Sequence, residues 1–384
     1  MLAKSGRGKK PDSRMALIQD HTQFFARIHV HGLTSEHGER KPITLERYIS
    51  FPPPIRMKRC KSPTATDIDL SPRALEPVFD LIARVRFESP KTTGKDVDSN
   101  PGNTLGYGRA GLVFPLDVLS ISPSDDLRAA DLMEQLPPLC IKVATPGYAR
   151  SLAREAWFYE YLDAMGLTGV LTPRCYGVFH AALGTSRSNT DMEININNYD
   201  YYSAAKRPID DRFKFYTARM WEEYFDVNTN TFALAPHFID DRKGNYKSSP
   251  WRLFRQSPKV ITLTILVMDL LGEPMTVQDF DEDWDIDIQN MYDDLAQALI
   301  VHQDNRFPNL LRVPRHAQRE CKTHMGAHKW NFIDWEDACL HGDPVAARIL
   351  QRSQSRDLVH YSVRVGGSDR HLRNADTTST PTVG

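Results

Sequence analysis

At 384 residues, with 48 Lys and Arg against 49 Asp and Glu, the chain has an ordinary globular composition. It exceeds the ~250–300 residues at which single cores stop growing, so two lobes or domains are expected. A formal net charge of -1 supplies no global field for nucleic acid or an anionic membrane, which removes both as default partners. Five scattered cysteines, Cys60, Cys140, Cys175, Cys321 and Cys339, argue against a disulfide framework and for a reducing, intracellular compartment, cytoplasmic or nuclear.

The start, Met1 to Arg14, is basic and polar without the apolar run of a signal peptide. Residues 1–18 read as a solvated arm, with nuclear import or polyanion binding as the alternative. Two weak amphipathic patches follow, Ala16–Val30 and Ser71–Val85, on either side of the proline-rich Phe51–Ile55. In the second, Ser71-Pro72 reads as a helix start ahead of Leu75, Val78, Leu81, Ile82 and Val85 at three- and four-residue steps. Residues 1–95 are therefore expected to form a partly disordered N-terminal extension packed on the next domain.

Leu105 to Phe114 holds a GxGxxG at Gly106, Gly108 and Gly111. Alone it is a weak signal, since a dinucleotide-binding turn uses the same spacing. A dinucleotide turn should open a helix, whereas here the glycines run into Leu112 to Leu119, rich in Val113 and its apolar neighbours. A strand-turn-strand fits better, with glycines at the tip so that backbone N–H groups can close over phosphates. Pro115 then requires an edge strand. Residues 122–138 form a polar loop with a short helix, and Pro138–Ala144 is an apolar strand with Lys142 in its middle. In isolation such a lysine belongs on a solvent face. Ala149 to Met165 is a helix ended by Gly166. It offers Glu155, which lies one turn before Tyr159 on the apolar face, and Glu160 as a second choice about a quarter turn off.

Pro173–Phe179 is another strand, after which residues 181–257 leave the pattern and read as an insertion, with aromatic-rich Arg212–Phe225 expected to be packed and helical. Val260–Met268 is a buried strand that breaks at Asp269-Leu270-Leu271-Gly272. Its apolar run is too short for the ~20 residues of a membrane span. From Ile288, apolar residues step along one helix face as far as His302, where His302-Gln-Asp304-Asn-Arg306-Phe-Pro-Asn309 begins. Leu310–Val313 and Trp330–Ile333 read as strands, the second ending at Asp334-Trp335-Glu336.

The spacing of His302, Asp304 and Asn309 resembles the HxDxxxxN catalytic loop of the protein-kinase-like superfamily. Flap, lysine, helix glutamate, loop and metal aspartate then occur in the family's order. The Asp-Trp-Glu form is similar to fungal-type kinase-like proteins and to relatives of aminoglycoside phosphotransferases and choline kinases. The resemblance implies a bilobal α+β fold, with an antiparallel β-rich N-lobe at 96–180, the insertion at 181–257, a shortened and mainly helical C-lobe at 258–365 and a disordered tail at 366–384. It also implies a site. The flap glycines, Val113, Lys142 and the Asp269–Leu271 stretch would bind ATP, with Glu155 holding Lys142. Asn309 and Asp334 would ligate Mg²⁺, Asp304 would take the proton of a hydroxyl acceptor, protein or small molecule, and Arg306 would lie near the γ-phosphate. Gln303 stands where many kinases carry an arginine, and no Ala-Pro-Glu follows Asp334. The function implied is an ATP-dependent phosphotransferase. The alternative is a pseudokinase acting as a nucleotide-binding or scaffolding module. A separate cluster, His316, Cys321, His324 and His328, includes a Cys-x-x-His of zinc spacing, but it matches neither a Cys₂His₂ nor a Cys₄ pattern and reads as a polar hairpin loop.

Overall fold

A computed structural model describes residues 24–36, 39–48, 78–86, 105–107, 111–144, 148–185, 192–194, 225–226, 231–232, 260–280, 283–340, 345, 347–356 and 358. Its largest element is a nine-stranded sheet. Strands β1 (Phe25–Glu36), β2 (Glu39–Tyr48), β3 (Phe79–Val85), β5 (Gly111–Ser122), β6 (Leu139–Ala144), β7 (Cys175–Thr185) and β11 (Val260–Asp269) pair in the order β2-β7-β11-β6-β5-β3-β1. Because β1 also pairs with β2, these seven close into a barrel. The short β4 (Gly106–Tyr107) adds to β5 and β8 (Met192–Ile194) to β1, while β9 (Phe225–Asp226) and β10 (Thr231–Phe232) pair with each other.

This arrangement corrects several expectations. Residues 79–85 form a strand and not a helix: Phe79, Leu81, Ala83 and Val85 are buried in strict alternation, a period of two that the i, i+3 reading of the same apolar residues had hidden. The strands of the supposed extension belong to the same sheet as the rest, with β1 and β3 parallel to each other. β5 is an interior strand between β3 and β6, not an edge. Pro115 is tolerated because the β3 ladder ends at Val85 opposite Leu116, and the Pro115 carbonyl still accepts from Arg86 N–H at 3.0 Å. Of the expected insertion, β7 runs on to Thr185 and β8 joins the sheet, whereas the helix expected at 212–225 lies outside the described residues except for Phe225, which is in β9. The tail at 366–384 and the basic arm at 1–18 also lie outside them.

Alternation sorts the barrel strands into two cores. Leu112, Phe114, Ile141, Val143, Ile265 and Val267 point inward with Phe25, Ile28, Val30 and Leu45. From the opposite face of the same strands, Cys140, Ala144, Val178, Leu266 and Met268 meet a second core built with helix α2 (Ala149–Ala164) and the C-terminal half. A short helix α1 (Leu127–Gln135), capped by Asp126, packs on β5. Helix α2 ends at Gly166, whose φ of +72° is a left-handed conformation glycine adopts without a Cβ penalty.

The C-terminal half contains helix α3 (Trp284–Gln297), which stops short of His302. Leu299 at φ 58° breaks it, and β12 (Ile300–Val301) leads into the 302–309 loop. β13 (Leu310–Arg312) pairs antiparallel with β16 (Trp330–Phe332). Between them lies a small hairpin, β14 (Glu320–Cys321) and β15 (Gly326–Ala327). β17 (Cys339–Leu340) pairs with β12, and helix α4 covers residues 347–356. Among the described residues no helix is long and apolar enough to cross a membrane, and Cys140, Cys175, Cys321 and Cys339 are free and buried.

Candidate functional site

Lys142 sits on the outer face of β6, flanked by β11 and β5, so its side chain enters the second core and is buried instead of solvated. Helix α2 places Glu155 opposite it: Lys142 Nζ donates to Glu155 Oε2 at 2.7 Å. The same ammonium donates to Asp334 Oδ1 at 2.9 Å, joining residues 192 apart in sequence. Burial opposes the charge on Lys142, but Asp334 and Glu155 outweigh it and hold its pKa above the usual lysine value. Burial raises the Glu155 carboxyl against the pull of Lys142. For Asp334 burial is outweighed by Lys142, and its pKa falls below the ordinary carboxylate range. Glu160 faces elsewhere, close enough to act electrostatically on Arg47 and Tyr48.

Asp334 is held in place by its neighbours in the chain. It adopts φ 65°, ψ 62°, a left-handed conformation that costs a non-glycine residue about 1–3 kcal/mol and must be over-determined by its surroundings. Trp335, fully buried, packs edge-on against Tyr159 of α2 and against His302, and donates from Nε1 to Thr172 Oγ1 at 3.2 Å. Arg154 of α2 donates to the Ala338 carbonyl. Arg154 has no place among the expectations from sequence, and Trp335 entered them only as part of the Asp-Trp-Glu form, not as a packing residue. The indole next to the aspartate was the available signal.

The 302–309 loop is tied to the strand before Asp334. His302 is buried and burial lowers its pKa. The neutral ring donates from Nε2 to the Ile333 carbonyl at 2.8 Å, and Nδ1 accepts from Asp304 N–H at 3.3 Å. Asn309 Nδ2 donates to the Asp304 carbonyl at 3.0 Å and to Asp304 Oδ2 at 2.9 Å. Arg306 Nη2 donates to that same Oδ2 at 2.5 Å. Gln303 adopts φ 67°, so two of the left-handed non-glycine residues, Gln303 and Asp334, stand at the site.

Asn309 and Asp334 come from adjoining ends of the β13–β16 pair: Leu310 lies opposite Phe332, and Ile333 N–H donates to the Asn309 carbonyl at 3.0 Å. Asn309 uses its amide N–H on Asp304, which leaves its hard oxygen as the end suited to a cation. Lys142, Glu155 and Asp334 together carry one positive and two negative charges, and a site with surplus anionic oxygen is the type Mg²⁺ accepts. The donor set therefore fits the ion.

The nucleotide residues are less uniform. Gly106 pairs with Val113 and Tyr107 with Leu112, so Gly106 and Gly111 sit on paired antiparallel strands, with Val113 directly across from Lys142 on β6. Gly108 lies outside the described residues. Gly111 has a packing reason of its own, because a Cβ there would meet the Val143 carbonyl oxygen at 2.6 Å. The Asp269 side chain is committed to the fold, accepting from Arg174 Nε and Tyr176 Oη, each at 2.8 Å. The Asp269 main chain is engaged as well, the N–H donating to the Arg174 carbonyl at 3.0 Å and the carbonyl accepting from Cys140 Sγ at 3.5 Å, so that strand end offers a ligand the carbonyl's second lone pair and the half-buried Leu271.

The described residues thus define a mixed α/β protein with a closed β-barrel and few helices, carrying a buried lysine–dicarboxylate cluster beside an Asp/Asn loop. No protein-family model matches the chain, and no curated protein matches it. Among solved structures, the ROP18 kinase domain in complex with AMP-PNP and sucrose is similar at 10% identity and a TM-score of 0.29, covering 62% of this chain and 51% of that one. The chain therefore spans about half the length of that structure.

Proposed function

We propose that the protein is an ATP-dependent phosphotransferase acting on a hydroxyl acceptor. The observation that carries this reading is Lys142, one buried ammonium bonded to both Glu155 and Asp334, with Asp304 and Asn309 brought alongside through His302 and the β13–β16 pair. Phosphoryl transfer asks a protein for positioning and charge neutralisation more than for covalent chemistry. In this assignment Lys142 holds the α- and β-phosphates, Glu155 fixes Lys142, and Gly106, Gly108, Gly111 and Val113 close over the nucleotide. The Asp269 carbonyl and the main-chain groups of Leu271 meet the base. Asn309 and Asp334 would hold Mg²⁺, which when bound offsets phosphate charge. Asp304 orients the acceptor hydroxyl and receives its proton as the oxygen attacks the γ-phosphorus and the β–γ bridging P–O bond breaks. The Arg306–Asp304 ion pair is exposed on the arginine side, where such a pair contributes about 0–1 kcal/mol, so an acceptor can displace it. That same pair, occupying the oxygen that would act as base, is the observation favouring a pseudokinase, a nucleotide-binding scaffold.

A thermal-shift titration with ATP, with and without Mg²⁺, tests the reading. A ligand at a hundredfold excess over Kd stabilises the folded state by about 2.7 kcal/mol. A Mg²⁺-dependent rise is expected for the wild type and for Asp304→Ala, and its loss in Lys142→Ala and Asp334→Ala. Acceptor phosphorylation should vanish in Asp304→Ala. Absence of any nucleotide shift in the folded wild type would remove the assignment, and a shift without turnover would move it to the scaffold.

A further inference from the structure

A second cluster of chemically capable side chains lies where helix α3 meets the β14–β15 hairpin and shares no residue with the Lys142 site. Asp294, one of the most buried carboxylates of the described residues, faces the β14–β15 hairpin. Its polar neighbours are neither lysine nor arginine. Cys321 Sγ lies 3.0 Å from Asp294 Oδ2, His328 Nε2 lies 3.3 Å from the same oxygen, and His324 Nε2 lies 3.2 Å from Oδ1. Although 3.2 Å apart, Asp294 Oδ1 and His324 Nε2 are not aligned as acceptor and donor, and each is buried without a hydrogen bond. Asp294, Cys321 and His328 offer ligand atoms that all fall within 4.8 Å of one another.

We propose that Asp294, Cys321, His324 and His328 form a structural zinc site. Asp294, Cys321 and His328 already stand close enough to share one ion, and His324, outside that group but 3.2 Å from the other Asp294 oxygen, would close in as the fourth ligand. With Zn–N and Zn–O near 2.0 Å and Zn–S near 2.3 Å, the edges of a tetrahedron are about 3.3–3.5 Å. The three observed separations all run to the Asp294 carboxylate: the nitrogen–oxygen pairs, 3.2 and 3.3 Å, match that edge, and the sulfur–oxygen pair, 3.0 Å, would widen as the thiolate binds. Cys-x-x-His and His-x-x-x-His supply three ligands from one hairpin, and the fourth comes from α3, 27 residues before Cys321. This is why the spacing of the hairpin by itself looked incomplete. His316, the other histidine of the segment, is exposed and outside the group.

The next shell of contacts is of the kind a zinc histidine carries. His328 Nδ1 is 2.6 Å from Asp287 Oδ1, and Asp287 lies two turns before Asp294 on the same face of α3. A carboxylate on Nδ1 fixes the tautomer and leaves Nε2 for the metal. Asp287 Oδ2 also accepts Lys329 N–H at 2.9 Å, which locks the carboxylate. The hairpin needs such an anchor. Its strands are two residues each, and Lys322, Thr323, Met325, Gly326 and Ala327 are exposed, while Cys321 and His328 at its two ends are buried against α3. A zinc ion would cross-link the hairpin to the helix, bracing the β13–β16 pair from behind.

The test is metal content of the full chain, purified without chelator, exposed to Zn²⁺ and then desalted. About one tightly held zinc per chain is expected. It should be lost in Cys321→Ser and Asp294→Asn and kept in His316→Ala. Asp287→Asn should weaken zinc affinity by about 10–100-fold in competition with a chromophoric chelator. Replacement of the ion by Co²⁺ should give a thiolate-to-cobalt charge-transfer band and the visible spectrum of a tetrahedral site. That spectrum is read on the wild type, so it decides even if a ligand variant does not fold. A wild-type chain that retains no zinc, a cobalt form without the charge-transfer band, or full zinc content in folded Cys321→Ser would each overturn the proposal.

Discussion

His302 shows what a single buried residue does for the site. Its ring bridges the Ile333 carbonyl and the Asp304 amide, so it links the segment carrying Asp334 to the loop carrying Asp304. It does this as a neutral imidazole, because burial lowers its pKa. The linkage has a definite sign. Between the depressed native pKa and the unfolded value near ~6.5, the unfolded chain binds a proton that the native chain does not, so stability is present above that range and lost as pH falls through it, by up to about 1.4 kcal/mol per pH unit. Asp334, whose native pKa is also depressed, acts in the same direction at lower pH. Urea unfolding at pH 7.5 and 5.5 should show a larger loss for the wild type than for His302→Gln. Equal losses would mean that His302 does not titrate on unfolding. At this scale the sequence was most informative: the resemblance to the HxDxxxxN loop singled out Lys142, Glu155, Asp304, Asn309 and Asp334, and the fold brings Lys142 against Glu155 and Asp334, and Asn309 against Asp304. What it could not state was burial. The solvent face that the strand alone would give Lys142 is closed, because β6 is flanked on both sides and its outer face is roofed by α2, which supplies Glu155 as its partner.

At the scale of elements, pattern succeeds where one period is dominant and fails where two compete. The β5, β6 and β11 strands are recognisable from their apolar runs, and α2 from its 3.6-residue face and closing Gly166. Leu81 and Val85, four residues apart, satisfy both periods, and sheet pairing, which is non-local, selected the strand. The glycine turn separates packing from ligand binding in a testable way. A methyl group on Gly111 would press on the Val143 carbonyl, part of the adjoining strand's backbone, whereas one on Gly106 meets nothing within 4 Å. Overpacking of this kind costs about 1–3 kcal/mol. Without nucleotide, Gly111→Ala should lower the unfolding midpoint and Gly106→Ala should leave it unchanged. A Gly111→Ala protein as stable as wild type would show that the third glycine serves the ligand and not the sheet. The zinc cluster is the opposite case: Asp294 lies in a helix with nothing in its sequence context to mark it, and only the tertiary approach of the hairpin gives it partners.

At the scale of the whole molecule, the barrel alters what counts as a removable part. The segment before residue 96 resembles an extension by composition, with low-complexity stretches around its apolar patches, yet it supplies three of the seven barrel strands. Phe25, Ile28, Val30, Leu33, Leu45 and Leu81 are 0% exposed, and each belongs to the barrel interior. Fully burying a side chain of this size stabilises by about 1.5–3 kcal/mol, so losing six of them exceeds much of the ~5–15 kcal/mol net stability of a typical domain. Removal also uncovers the pairing edges of β5 and β7, and unpaired edges invite association with other chains. A chain beginning at residue 96 should therefore aggregate, or unfold without a cooperative transition, even though it retains every residue assigned to the phosphotransfer site. Circular dichroism, denaturant titration and size-exclusion chromatography on that fragment provide the check. A monomeric fragment that unfolds cooperatively and keeps the Mg²⁺–ATP thermal shift would show that β1 to β3 cover a sheet already stable without them. An aggregated fragment would mean that barrel closure comes first and that the Lys142 site forms only on the outside of a completed barrel.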